Sequence, residues 1–166
     1  MKLIKPSIDY QNEFKEYALD FKTVKEEYYF YYEEYLNDFS AYLVRLDEIE
    51  KGIKLPKNWS KGKTYWLIDN KNKVVGVIRY REKASIEYGN IGFEISPKYR
   101  KLGYGFLILN LLCDKLKKKG VTEIVVTCNV DNHSSEKIII KNKGEFINQV
   151  FDESDKIYVK RFIIKL

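Results

Sequence analysis

Ile91-Gly-Phe-Glu-Ile-Ser-Pro-Lys-Tyr-Arg-Lys-Leu-Gly-Tyr-Gly105 is the stretch that decides the fold. In its first part Ile91, Phe93 and Ile95 fall on one face and Glu94 on the other, the two-residue period of a strand. Pro97 stops that strand. Beyond it, Tyr104, Leu107, Ile108, Leu111, Leu112 and Leu116 make one apolar stripe, which predicts a helix over 104–119. Lys115, Lys117, Lys118 and Lys119 complement the dipole at its far end, and Gly120 supplies the stop. Between strand and helix lies Arg100-Lys101-Leu102-Gly103-Tyr104-Gly105. Glycines there let backbone N–H groups turn toward a ligand and let the ligand come close. The helix start adds free N–H groups and the positive end of its dipole. A pyrophosphate suits such a place, with Arg100 and Lys101 adding charge. The Gly-Lys-Ser/Thr of a P-loop is missing, and so are the third glycine and the later acid of the dinucleotide fingerprint. Taken alone, the same letters also describe a turn that only begins a helix.

Working outward, Thr64-Tyr65-Trp66-Leu67-Ile68 and Val74-Val75-Gly76-Val77-Ile78-Arg79-Tyr80 read as strands, joined by the turn residues Asp69-Asn70-Lys71-Asn72. A polar loop is expected over 82–89. Upstream, residues 7–51 read as helical: Phe14, Ala18 and Phe21 hold helical spacing, and a long Tyr-rich stretch from about 23 to 51 ends at Gly52 and Pro56. Tyr28, Tyr29, Tyr31, Tyr32 and Tyr35 would either pack half-buried or line a cleft. Downstream, Ile124–Cys128 reads as a buried strand and 134–143 as a short helix closed by Gly144. Glu145–Val150 and Lys156–Lys165 form a hairpin around Phe151-Asp152-Glu153-Ser154-Asp155. Helices, antiparallel strands, a strand–helix–strand crossover, a helix and a hairpin predict a mixed α/β sheet.

The chain has 166 residues, 45% hydrophobic and 33% charged, with a formal net charge of +6. These values suit one soluble domain spanning 1–166. The first residues lack the apolar core of a secretory signal, and no apolar run is long enough to span a membrane. Cys113 and Cys128 are expected as buried thiols in a reducing cytoplasm, and one histidine with no cysteine cluster argues against a metal site. The basic excess would suit nucleic acid or a small polyanion, but no zinc-finger or ribonucleoprotein motif is present, so no specific nucleic-acid partner is expected.

The 91–105 segment resembles the acetyl-CoA motif of the GNAT N-acetyltransferases. A second motif follows in order: Asn132-His133-Ser134-Ser135, then Ile138-Ile139-Ile140-Lys141-Asn142-Lys143-Gly144-Glu145-Phe146, similar to the family's Asn-x-x-Ser/Ala helix and its Gly/Phe turn. From about Leu55 to Leu166 the chain is similar to a bacterial subgroup of predicted acetyltransferases. The resemblance implies a mostly antiparallel twisted sheet with splayed central strands, flanked by helices. The acetyl-CoA core would lie at about 62–166, behind the N-terminal helices 7–51.

It also implies roles. The main chain of Phe93, Glu94 and Ile95 would bind the pantetheine arm. The loop Arg100, Lys101, Leu102, Gly103, Tyr104 and Gly105 would hold the pyrophosphate. Asn132 would reach the pantetheine or phosphate arm, and Ser135 would lie near the thioester sulfur. Acetyl-CoA is the expected co-substrate, without metal, and the acetyl group would pass directly to an amine of a small molecule or protein. An amine must lose a proton before attack, and the thioester oxygen needs a donor such as a strand N–H. The family's usual tyrosine position is Ile139 here and a frequent base position is Thr127. Glu94 or water is therefore the expected base, and Ser135, Tyr158 or water the expected acid. His133 reads as an exposed turn residue and Cys128 as packing. Glu33, Glu34, Asp38, Asp152, Glu153 and Asp155 would attract a cationic acceptor. A homodimer is a family-level expectation, and a non-catalytic CoA-binding sensor with the same fold is the alternative.

Overall fold

The turn Asp69–Asn72 joins β2 (Gly62–Ile68) to β3 (Val74–Ser85) in antiparallel register. Asp69 makes it tight: its Oδ1 accepts from the N–H groups of Lys71 and Lys73, both at 2.8 Å, and Asn72 takes a left-handed φ of 60°. β2 is buried on both faces. Tyr65 and Leu67 enter one core, Trp66 and Ile68 the other. In β3, Ile68 pairs with Val74 and Leu67 with Gly76, so Val75 is the extra residue of a bulge. The bulge sends Val75 and Ile78 to the first core and Val74 and Val77 to the second.

The structure is a computed structural model that describes residues 1–57, 59–153 and 155–166; Ser154 of the expected last turn lies outside the described residues. β1 (Lys2–Ile4), β2, β3, β4 (Gly89–Ile95), β5 (Glu123–Asn129), β7 (Ile157–Lys165) and β6 (Glu145–Asp152) form one seven-stranded sheet in that spatial order. Among the described residues only the β4–β5 pair is parallel. The mixed α/β sheet expected from the element order is therefore present, and it is mostly antiparallel, as the resemblance implied.

On one face lie α4 (Tyr104–Lys117) and α5 (His133–Lys141). Ile108, Leu109, Leu112 and Leu116 of α4 and Ile139 of α5 are buried there against Val126 and Phe162. On the other face lie α1 (Gln11–Thr23), α2 (Tyr28–Asn37) and α3 (Phe39–Lys51). Their second core is aromatic: Phe14 stacks on Trp66 at 4.7 Å and on Tyr42 at 5.0 Å, with Tyr17, Phe21, Tyr32 and Phe39 around it. This core uses strand residues from β1, β2 and β3 only.

Two expectations need correction. The single long helix over 23–51 is two helices, because Asp38 leaves helical geometry and its Oδ1 caps α3 by accepting from Ala41 N–H at 2.9 Å. The 82–89 loop is mostly strand: β3 runs to Ser85 and β4 resumes at Gly89. β1 was not foreseen, since three residues are too few to show a period. Gly52 does end the helical region, with a left-handed φ of 78°.

Candidate active site

The site begins where β4 and β5 part. Their ladder has one register pair, Ile91 with Val126. Asn90 stitches the strands at that end: its Nδ2 donates to Arg81 O (2.9 Å) and its Oδ1 accepts from Val125 N–H (2.8 Å). Gly89 allows the close approach, because a Cβ there would stand 2.5 Å from Val125 O. Past Ile91 the two strands separate. β5 keeps its full pairing with β7, while the β5 side of Phe93, Glu94 and Ile95 has no ladder partner. Main-chain groups left open beside a cleft are what an extended amide-bearing arm needs.

At the end of β4, Pro97–Tyr99 forms a 3-10 turn that leads into the glycine loop. Lys101 and Gly103 both take left-handed φ, 63° and 82°. The first chain bond of α4 is Leu107 N–H to Gly103 O at 3.1 Å. Among the described residues, no acceptor serves the N–H groups of Lys101 through Phe106. A Cβ on Gly103 would meet nothing within 4 Å, so the loop is open on that side. Six unserved amides at an open helix start, with Lys101 exposed among them, fit a diphosphate. Gly105 also serves helix packing. Its missing side chain admits Ile138, whose Cδ1 would be 2.5 Å from a Cβ there, and so brings α5 against α4.

Arg100 is placed differently from the expectation. Its guanidinium forks onto Glu26 (2.5 and 2.6 Å), and its Nε donates to Ile95 O at 3.1 Å. This pair holds the Glu26 carboxyl below the usual range. The side chain tethers the loop to the α1–α2 connection; it does not add charge at the phosphate position.

Glu94 also departs from the free base expected. It is 5% exposed and lies on the α1–α2 side of the sheet. Arg79 Nη1 donates to Oε2 (2.7 Å) and Nη2 to Oε1 (2.8 Å); Tyr17 and Tyr32 hydroxyls also donate to Oε1. Burial and the adjacent carboxylate raise the Tyr17 phenol well above its ordinary range. The Tyr32 phenol is raised by burial, and Arg79 at 2.5 Å pulls it the other way. The carboxylate is thus already engaged by four donors.

Across the cleft, Asn132 Oδ1 caps α5 by accepting from Ser135 N–H at 3.0 Å. Asn132 and Tyr158 line one open depression of about 510 Å³ with Asn129, Val130, Asp131 and Ile157. The structure brings these two together; Ser135 is half-buried behind the cap and does not line it. Ile139 is fully buried in the first core. Cys128 is buried, which pushes its thiol up to about 11. His133 is exposed beside Glu136. A residue the sequence did not single out is Arg79, which engages Glu94. The only signal was Arg79-x-Arg81, a charged pair at strand period inside an otherwise apolar strand.

Among the described residues, no helix is long and apolar enough to cross a membrane, and no group of three or more His, Cys, Asp or Glu side chains is placed to hold a metal. No curated protein matches the sequence significantly. Solved structures are similar in fold. Ribosomal-protein-S5-alanine acetyltransferase from Vibrio fischeri aligns with a TM-score of 0.74 at 12% identity, over 98% of this chain and 91% of that one. The microcin C7 self-immunity acetyltransferase MccE, in complex with acetyl-CoA and AMP, aligns at 0.75 and 13%, over 99% and 91%. The acetyltransferase from Salmonella typhimurium that modifies the N-terminal serine of ribosomal protein L7/L12 aligns at 0.70 and 13%, over 99% and 94%. The sequence profile of the acetyltransferase (GNAT) family matches residues 14–139. With that match over most of its length, and with a splayed strand pair ending in an open glycine loop, the chain belongs to the GNAT family of acetyl-CoA-dependent N-acetyltransferases.

Proposed function

We propose that this protein moves the acetyl group of acetyl-CoA directly to a primary amine at the β4–β5 cleft. The observation that carries the proposal is the run of unserved amides from Lys101 to Phe106 at the end of a strand that has parted from its neighbour. The amides of Lys101 to Gly105 hold the pyrophosphate, and the open main chain of Phe93–Ile95 holds the pantetheine arm. Bound acetyl-CoA supplies an activated carbonyl with a thiolate leaving group. A β4 backbone N–H stabilises the oxygen of that carbonyl as charge develops on it. Tyr158, beside Asn132 in the depression, holds a proton at its hydroxyl for the departing sulfur. Asn132 orients the arm and starts α5. With Glu94 engaged by Arg79, the amine proton leaves through water. Fixing both reactants supplies much of the acceleration.

One similar enzyme is named for modifying an N-terminal serine, which supports an α-amine as acceptor. A cytoplasmic location fits the two buried free thiols. Calorimetric titration with acetyl-CoA tests the reading: saturable binding is expected, Gly103→Glu should abolish it, and no heat at millimolar ligand would refute it. Tyr158→Phe should lower kcat by roughly 10²-fold, with acetyl-CoA binding unchanged. A CoA-binding sensor is the second reading, favoured by Ile139 standing where many relatives carry tyrosine. Binding without free-thiol release across an amine panel would select it.

A further inference from the structure

Helix α1 ends in a way that presents one acid to the cofactor loop. Lys25 takes a left-handed φ of 56°, Lys25 N–H donates to Lys22 O (3.2 Å), and Glu26 N–H donates to Phe21 O (3.1 Å). These two bonds are the Schellman stop of a helix, and they fix where the Glu26 backbone stands. The Glu26 carboxylate receives both ends of the Arg100 fork, Nη1 at 2.5 Å and Nη2 at 2.6 Å. The guanidinium carbon lies 5.9 Å from the ring of Phe21, which is fully buried. The last turn of α1 makes a second anchor: the Oγ of fully buried Ser96 donates to Asp20 Oδ2 at 2.5 Å. Ser96 precedes the Pro97–Tyr99 turn and Arg100 follows it. One helix end therefore pins the chain on both sides of that turn, directly before the unserved amides begin at Lys101.

Arg100 also covers an atom on the edge of the cleft. Ser96 N–H donates to Val75 O, and the residue before it, Ile95, stands opposite Gly76. Bonded and unbonded pairs alternate along an antiparallel ladder, so Ile95 turns its N–H and C=O away from β3, toward the side where β4 and β5 have parted. Left bare, that carbonyl would hold a partial negative charge beside the loop that a diphosphate must approach. Arg100 Nε donates to it at 3.1 Å. The same guanidinium thus caps β4 with one nitrogen and grips the end of α1 with the other two. The pair is partly exposed, so the fixed geometry of its fork counts for more than its charge.

Building on the acetyl-transfer reading, we propose that Glu26 is a positioning residue for acetyl-CoA: by holding the Arg100 fork it fixes how the chain enters the loop, and so aims the amides of Lys101–Phe106 at the diphosphate. The consequence runs against simple electrostatics. An acid close to a polyanion site opposes binding, and its removal alone would tighten the complex. Removing Glu26 instead loosens it, because the freed arginine no longer holds α1, Ile95 O and the loop together.

Calorimetric titration with acetyl-CoA reads the sign. Glu26→Gln should raise Kd about fivefold or more. Glu27→Gln takes the same charge from the next residue, an exposed acid with no side-chain hydrogen bond among the described residues, and should leave Kd unchanged or lower it. Arg100→Lys should bind as weakly as Arg100→Gln, since lysine keeps the charge but loses the fork and Nε. The double variant Glu26→Gln/Arg100→Gln should bind no worse than Arg100→Gln alone, because both act through one pair. Thermal midpoints show that each variant is folded at the temperature of titration. Glu26→Gln binding as tightly as the unmodified protein or tighter, or Arg100→Lys keeping full affinity, would overturn the proposal. Lower midpoints with Kd unmoved would reduce the pair to a structural brace and overturn it as well. Failure of the unmodified protein to bind acetyl-CoA would instead overturn the enzyme reading.

Discussion

Replacing Glu94 by Gln should act first on stability and only then on catalysis. The carboxylate receives two bonds from Arg79 and one each from Tyr17 and Tyr32. Glutamine keeps the shape, removes the charge and turns one acceptor into a donor facing other donors. Arg79, whose side chain is only 20% exposed, is then left without a counter-charge. Breaking a buried pair from one side typically costs ~3–5 kcal/mol. The residual exposure of Arg79 and the retained amide oxygen place this case at about 3 kcal/mol. In a domain of this size that lowers the melting midpoint by roughly 6–12 °C. Urea unfolding of Glu94→Gln, Arg79→Met and the double variant measures it, and the double should be more stable than the two losses summed, by about 2 kcal/mol. Suppose instead that Glu94→Gln kept its stability within ~0.5 kcal/mol while turnover collapsed and the acid limb of its pH profile vanished. Glu94 would then be the base, and the structural reading of the Arg79 pair would be refuted.

Asn132→Ala removes the α5 cap and should lose about 1 kcal/mol in urea unfolding, together with weaker acetyl-CoA binding by calorimetry. Gly105→Val must push Ile138 aside and should cost ~1–3 kcal/mol by overpacking, whereas Gly103, with open space but a φ of 82°, should tolerate Ala at about 1 kcal/mol. Cys113 and Cys128 thiols are both pushed up to about 11 by burial, from 9.0. Folding therefore retains these protons longer than the unfolded chain does; the stability they contribute is complete below pH 9 and is lost as pH rises from 9 toward 11. Unfolding midpoints across that range check the sign, and iodoacetamide should label neither thiol at pH 7.5 until denaturant is added.

How much of the molecule is written in the amino-acid order differs element by element. Strand β4, the loop from Arg100 to Gly105 and helix α4 were legible because each follows a local rule: alternation, then glycines with free amides, then a 3.6-residue stripe. The hairpins were legible for the same reason, from turn residues between β-branched runs. β1 and the break at Asp38 were not, since a three-residue strand has no period and a capping side chain looks like any helical acid. The side-chain roles depended most on the fold. Arg100 and Lys101 are adjacent letters, yet packing of α1 and α2 turns Arg100 onto Glu26 and leaves Lys101 exposed. Glu94 looked like an available base until β3 placed Arg79 beside it and α2 lowered Tyr32 onto it. Asn90 and Val125 stand 35 positions apart and meet only because β4 and β5 run side by side there. Local periodicity encodes which way a backbone runs and which face it buries. Pairing of charges across a sheet is a distance between strands, and that distance exists only once the chain has folded.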